Sequence, residues 1–326
     1  MPSPLDAHFK LVVKAILDGR LVPFLGAGFN VPGRPDASAP WDGACPFLPS
    51  GSELSAYLAE SFDYPSALDR KNLVRVSQYV EVLNGMGPLY ELLRRVFINE
   101  NYRPFEQHRF LATLPGVTRP LGIPGRYQLI VTTNFDDMVE VAFREAGREY
   151  DLAAYVATGP GCGKFVHRHP DGHMNLIEKP NEYPSLSLEQ RPVILKIHGA
   201  IDRDHEDKDS FVITEDDYID YMTRLDIEKL LPVKPLAKLR KCNFLFLGYS
   251  LADWNLRAIL GRIWGEQSRS YQSWAVQLSP DPIDVKFWTR RGVEIIDADV
   301  GDYICQLSRL LQSEAGGVNS GPPGNP

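Results

Sequence analysis

Residues 127–146 read YQLIVTTNFDDMVEVAFREA: an apolar, β-branched run gives way at Thr132 to small and polar residues, and then to a helical spacing. A short continuous apolar run followed by a 3.6-residue period marks a strand buried on both faces and the helix that covers it, the unit of a parallel sheet. The same transition recurs at Gly26-Ala27-Gly28 after Leu21–Leu25, at Lys196-Ile197-His198-Gly199 after Val193, and at Leu247-Gly248-Tyr249-Ser250 after Asn243. The expected fold is therefore α/β, a Rossmann-like, mostly parallel sheet with helices on both faces. Carboxyl ends of parallel strands converge on one crevice. The four islands are thus expected to build a single nucleotide site containing Asn134, Asp136 and His198.

The rest of the chain is organised around that frame. Phe9, Val12, Val13 and Ile16 predict an amphipathic first helix. Residues 31–51 are rich in Pro, Gly and Ala and read as an irregular loop over the site, anchored by Trp41, Phe47 and Leu48. Helical periodicity over about 52–115 predicts a helical insertion. After a strand at Asp151–Ala157, residues from about 158 to 190 read as a long lid or partner loop. Strands at 273–278 and 293–296 alternate with helices at 283–290 and 303–313. Residues 1–315 then form one domain, and 316–326, made of Gly, Pro, Asn and Ser, form a disordered tail.

Composition narrows the classes. The 326 residues are 44% hydrophobic and 24% charged with a net charge of −7, which fits a globular chain with a substantial core and argues against general binding to nucleic-acid backbones. The four cysteines are scattered without a C-x-x-C pair, so neither a zinc knuckle nor a disulfide framework is expected, and a cytoplasmic location is. No apolar run reaches membrane-spanning length.

Taken alone, each island has an ordinary explanation. Glycine turns after strands are common, an Asp before a helix caps it, and a His after a strand is often a satisfied core residue. A His at a strand end beside glycine is better placed to face a crevice, where neutral imidazole can take a proton from water or a ribose hydroxyl. His167, His169 and His173, in a Gly/Pro-rich stretch, are expected to be solvated lid residues, and no metal site is expected. Asp202–Asp209 and Glu215–Asp217 read as exposed surface and a helix start, and Lys238, Arg240 and Lys241 as the charges ending a helix.

Together the islands resemble the sirtuin family. In that family a Gly-Ala-Gly turn holds NAD phosphates and ribose, a Thr-x-Asn-x-Asp segment lines the nicotinamide and ribose region, a His before Gly is the general base, and a Gly-x-Ser segment lies along the adenosine. Gly26, Ala27 and Gly28, Thr132, Thr133, Asn134 and Asp136, His198, and Gly248 and Ser250 match in order, with Asp253 closing the run Leu247-Gly248-Tyr249-Ser250-Leu251-Ala252-Asp253. Asn30 stands where sirtuins usually carry Ser, the segment from Val31 to Trp41 is unlike that of deacylases, and the cysteine-rich zinc module is missing between the third and fourth islands.

That pattern resembles the divergent sirtuin-like branch of bacterial antiphage systems. The resemblance implies an NAD+ glycohydrolase that depletes NAD on infection, with Asn134, His198 and Asp136 catalytic, NAD+ as substrate, no metal and no membrane. It also implies a homo-oligomer and an activating partner in trans, a HerA-type ATPase or a short Argonaute, since residues 1–315 are taken up by the one domain. A protein deacylase or ADP-ribosyltransferase, or a non-catalytic NAD-binding module, are the alternatives.

Overall fold

The computed structural model describes residues 4–35, 41–118, 127–224, 231–251, 254–264 and 271–318. Helix α1 (Pro4–Leu17) leads into β1 (Leu21–Leu25), followed by a short 3-10 turn at Ala27–Asn30. Four helices follow: α2 (Gly51–Ser61), α3 (Leu73–Asn84), α4 (Met86–Phe97) and α5 (Glu106–Thr118). Then come β2 (Leu129–Thr132), α6 (Met138–Glu145), β3 (Asp151–Tyr155), β4 (Phe165–Arg168), β5 (Met174–Leu176), β6 (Val193–Lys196), and the two-residue strands β7 (Gly199–Ala200) and β8 (Ser210–Phe211). Helices α7 (Glu215–Arg224) and α8 (Val233–Arg240), β9 (Asn243–Leu247), α9 (Trp254–Trp264), β10 (Ser273–Gln277), α10 (Pro282–Thr289), β11 (Val293–Asp297) and α11 (Val300–Val318) complete the chain.

Nine strands form one sheet in the order β11-β10-β9-β1-β2-β6-β3-β4-β5. All neighbours from β11 to β3 are parallel; β4 and β5 are antiparallel. The order reverses at β1, with β2 on one side and β9 on the other, so the loops after these strands border the switch-point crevice where ligands bind in such sheets.

The central strands β1, β2, β6 and β9 are buried at every position because both faces are covered. Val22 and Phe24 of β1 enter one core while Leu21 and Leu25 enter the other, and Phe244/Phe246 and Leu245/Leu247 of β9 divide in the same way. Helices α7 to α10 cover the first face; α1, α5, α6 and α11 cover the second. A third cluster joins α2, α3 and α4 to Trp41, Phe47 and Leu48 and to Phe135 and Phe211 beside the strand ends. The helical block therefore rests on the carboxyl edge of the sheet. Its first helix starts at a capping box, Ser50 with Glu53, and Arg34 grips the same Glu53 (2.9 Å) and the Leu48 carbonyl (2.5 Å), tying the preceding loop down.

Four expectations change. Residues 158–190 are not a structureless lid: Phe165 and His167 point inward at alternate positions of β4, which with β5 extends the sheet as an antiparallel hairpin. His167 is accordingly buried and not solvated. Asp202 and Asp209 are buried too, because Arg168 and Arg94, distant in sequence, reach them. Helix α5 runs through Pro115 to Thr118, and α11 extends to Val318, so residues 316–318 are helical; 319–326 lie outside the described residues.

Two glycines are dictated by close approach. Gly248 has φ +64°, and a Cβ there would lie 2.0 Å from the Phe29 nitrogen; Gly199 has φ +89°, and a Cβ would lie 2.1 Å from the Ser210 carbonyl oxygen. Gly248→Ala should therefore cost more than about 2 kcal/mol of unfolding free energy, from left-handed backbone strain and overpacking. Gly261→Ala, in α9 with open space around it, should gain about 0.5–1 kcal/mol. Urea denaturation of the two variants beside the parent checks both signs.

Candidate active site

A cleft lies over the ends of β1, β2 and β6, lined among others by Ala27, Asn30, Asn134, Asp136, His198 and Tyr218. Its roof is the loop at Pro49–Gly51 with Leu54, Leu73 and Val74 from the helical block; Thr133 and Tyr249 also face it.

Asn134 sits in the turn that ends β2. Its backbone N–H donates to Thr132 Oγ1 (3.0 Å), and its side-chain Nδ2 donates to the Gly26 carbonyl (3.1 Å), so one half of the amide is fixed by protein. The other half, Oδ1, is buried without a hydrogen-bond partner. A buried acceptor left open costs about 1–3 kcal/mol, and this one belongs to a residue that lines the cleft.

His198 follows β6 by two residues and is 2% exposed. Its ring packs edge-on to Tyr218 and Tyr221, and Nδ1 lies 3.3 Å from Tyr218 Oη. Nε2 is buried with no partner. Burial drives the imidazole's pKa down to about 3, so the ring is neutral throughout the physiological range. If Nδ1–H is donated to the tyrosine oxygen, Nε2 carries the free lone pair.

Asp136 faces the cleft but is committed to protein. One carboxylate oxygen accepts the Met138 N–H (3.0 Å) and so starts α6; the other accepts Asn30 Nδ2 (2.9 Å). Asn30 Oδ1 in turn accepts from His108 Nε2 (3.0 Å), whose Nδ1 takes the Phe105 N–H (3.1 Å). These bonds fix the tautomer of His108, which burial lowers to a pKa of about 3. The chain of bonds runs from α5 to the site. Burial also raises the Asp136 carboxyl above its ordinary value, against the charge of Lys196.

Lys196 is the residue that sequence reasoning passed over. It ends β6, is 1% exposed, and pairs with the equally buried Glu140 of α6 at 2.7 Å. Its ammonium also donates to the carbonyls of Phe135 and Asp136, the latter by a very short contact. One cation therefore ties the turn holding Asn134 to the strand that delivers His198. The signal was visible as the single charge in an apolar strand.

The other expected residues divide. Thr132 is buried and supports Asn134, while Thr133 lines the cleft. Of the glycine island only Ala27 lines it; Gly26 N–H and Gly28 N–H donate to the Leu247 and Gly248 carbonyls (3.1 and 2.8 Å), so those amides bind the neighbouring loop. Gly248 backs the site and Tyr249 faces it, whereas Ser250 is exposed and does not line the cleft. Asp253 lies outside the described residues.

A family model described as a SIR2-like domain matches residues 128–296, a little over half of the chain, taking in Asn134, His198 and Gly248 but not the glycine island at 26–28. The chain is 30% identical over 196 residues to a protein of Enterococcus faecium named NAD(+) hydrolase ThsA, covering 59% of this chain and 32% of that one. It is 24% identical over 263 residues to a protein of the same name from Cytobacillus dafuensis, covering 81% and 42%. The chain thus spans between about a third and two fifths of the length of these relatives.

The ion pair gives a direct test. Lys196→Met should destabilise the fold by about 3–5 kcal/mol, because Glu140 is left as a buried unpaired charge, and Lys196→Met with Glu140→Leu should recover much of the loss. Guanidinium unfolding of the single and double variants reads the coupling.

Proposed function

The chain belongs to the SIR2-like family, and from that premise we propose that it cleaves the nicotinamide–ribose bond of NAD+ with water, giving nicotinamide, ADP-ribose and a proton. The observation that carries this reading is the pair of unpartnered buried atoms, Asn134 Oδ1 and His198 Nε2, in one cleft at the strand ends. Both relatives are named NAD(+) hydrolases, which supports the same chemistry.

The bond to be broken joins the anomeric carbon to a pyridinium nitrogen. Nicotinamide leaves as a neutral ring, taking the bonding pair, so the leaving group needs no acid. The sugar passes through an electron-poor oxocarbenium state. Asn134 Oδ1 accepts from a ribose hydroxyl or the attacking water, and His198 Nε2 takes the water's proton. A base with a pKa near 3 is weak, but water becomes acidic as its oxygen bonds to the cationic carbon, so the transfer comes late. Asp136 acts through Asn30 and the start of α6, holding the turn and offsetting positive charge.

The proposal extends to a cytosolic effector that depletes NAD in antiphage defence, working as an oligomer with an activating partner in trans. The resemblance of the islands to the sirtuin-like defence branch supports it, and total NAD in phage-challenged cells expressing parent or His198→Ala chain tests it.

Nicotinamide release from NAD+, measured by mass spectrometry without any acylated peptide, should fall roughly 100- to 10,000-fold in His198→Ala, and strongly in Asn134→Ala. Turnover that requires an acyl-peptide or protein acceptor would instead indicate a deacylase or transferase. Because the base works when unprotonated and burial lowers its pKa to about 3, kcat/KM should stay level as pH falls from about 8 to about 5, with no inflection near the ordinary histidine value of about 6.5. A fall centred there would show a solvated base.

A further inference from the structure

Away from the cleft, where the β4–β5 hairpin joins the edge of the parallel strands, Asp151, His167 and His169 bring ligand atoms to within 4.8 Å of one another. Asp151 is the first residue of β3, and the two histidines flank Arg168 at the end of β4. Asp151 and His167 are both 0% exposed, while His169 is partly open to solvent.

The contacts within this group do not satisfy it. His167 Nε2 and Asp151 Oδ1 are 3.0 Å apart, yet neither atom makes a hydrogen bond, and Asp151 Oδ2 makes none either. Arg191 Nε stands 3.5 Å from Oδ2, sharing charge but not a bond. On its far side His167 Nδ1 meets Tyr183 Oη at 2.9 Å. With Nδ1–H donated to that oxygen, Nε2 presents a lone pair beside a carboxylate lone pair at close range. In that tautomer the two acceptors repel, and a cation between them removes the repulsion.

The spacing fits one. Two ligands at about 2.0–2.2 Å from a common ion, at angles between a right angle and a tetrahedral one, stand about 3.0–3.5 Å apart. The third donor is available as well: Asn175 places Nδ2 3.0 Å from His169 Nε2 and Oδ1 3.1 Å from His173 Nε2, and with the amide turned over its oxygen accepts the His169 Nε2 proton and leaves Nδ1 as the lone-pair atom. A tyrosine and an amide holding the outer nitrogens of two histidines is the arrangement that orients metal-bound imidazoles.

We propose that Asp151, His167 and His169 form a divalent-metal site that fastens the β4–β5 hairpin to β3. Two imidazoles and a carboxylate select a borderline first-row ion, zinc before magnesium or calcium, and three protein ligands leave one position for water on the exposed side of His169. Each hairpin strand has at most four residues, so a cross-link from β4 to the first residue of β3 adds a constraint that so short a ladder supplies weakly. The site is independent of the proposed hydrolase reaction.

The test uses untagged, chelator-treated chain titrated with Co2+ as a spectroscopic stand-in for zinc. The expected result is a single equivalent bound with the visible absorption of a nitrogen- and oxygen-ligated ion, abolished in His169→Ala and in Asp151→Asn, together with a zinc-dependent rise in Tm that both variants lose. His169 is partly exposed, so its variant should fold even where Asp151→Asn does not. Absence of stoichiometric binding by the parent, or binding that His169→Ala leaves unchanged, would overturn the proposal; sulfur-to-cobalt charge-transfer absorption would do the same by assigning the metal to one of the four free cysteines.

Discussion

A buried ammonium is the constraint on which the site depends. Lys196 is shut away from water at the end of β6, and a charge so placed is tolerated only when every partner is in position. Its partners are the Glu140 carboxylate and the carbonyls of Phe135 and Asp136. All belong to α6 or to the turn that leads into it. The turn that presents Asn134 therefore cannot drift from β6 without stranding a charge on both sides. Two residues beyond Lys196 the same strand delivers His198, so one interaction sets the mutual placement of the two cleft-facing groups.

The rest of the architecture extends that constraint outward. Asp136 continues it through Asn30 and His108 to α5, so that helix is hydrogen-bonded to the floor of the cleft, beside the block of α2, α3 and α4 packed over the strand ends. On the other side, the glycine island and Gly248 approach so closely that their backbones bond to each other. Burial has a chemical consequence: it keeps His198 neutral and leaves its open nitrogen in a water-poor setting, where a cationic sugar would be stabilised by few but fixed dipoles.

Much of this was legible in the sequence for a definite reason. Strands buried on both faces read as apolar runs, so the central strands β1, β2, β6 and β9 announced themselves, and the residues at the ends of those runs had to face the crevice. Asn134 and His198 were found in that way. What was not legible rests on long-range partners: the burial of Asp202 and Asp209 follows from Arg168 and Arg94, and the committed hydrogen bonds of Asp136 follow from Asn30. The β4–β5 hairpin escaped because its strands are short, only half-buried, and set among glycines and prolines. Tyr249 was not legible because the small residues flanking it carry the turn pattern, although Ser250 among them is exposed.

The most direct measurement is a crystal structure of the His198→Ala chain with NAD+. The account places the nicotinamide ribose between position 198 and Asn134, with a hydroxyl or an ordered water on Asn134 Oδ1 and the nicotinamide end under the roof at Pro49–Gly51. A dinucleotide lying outside this cleft, or one whose nicotinamide ribose is turned away from Asn134, would contradict it.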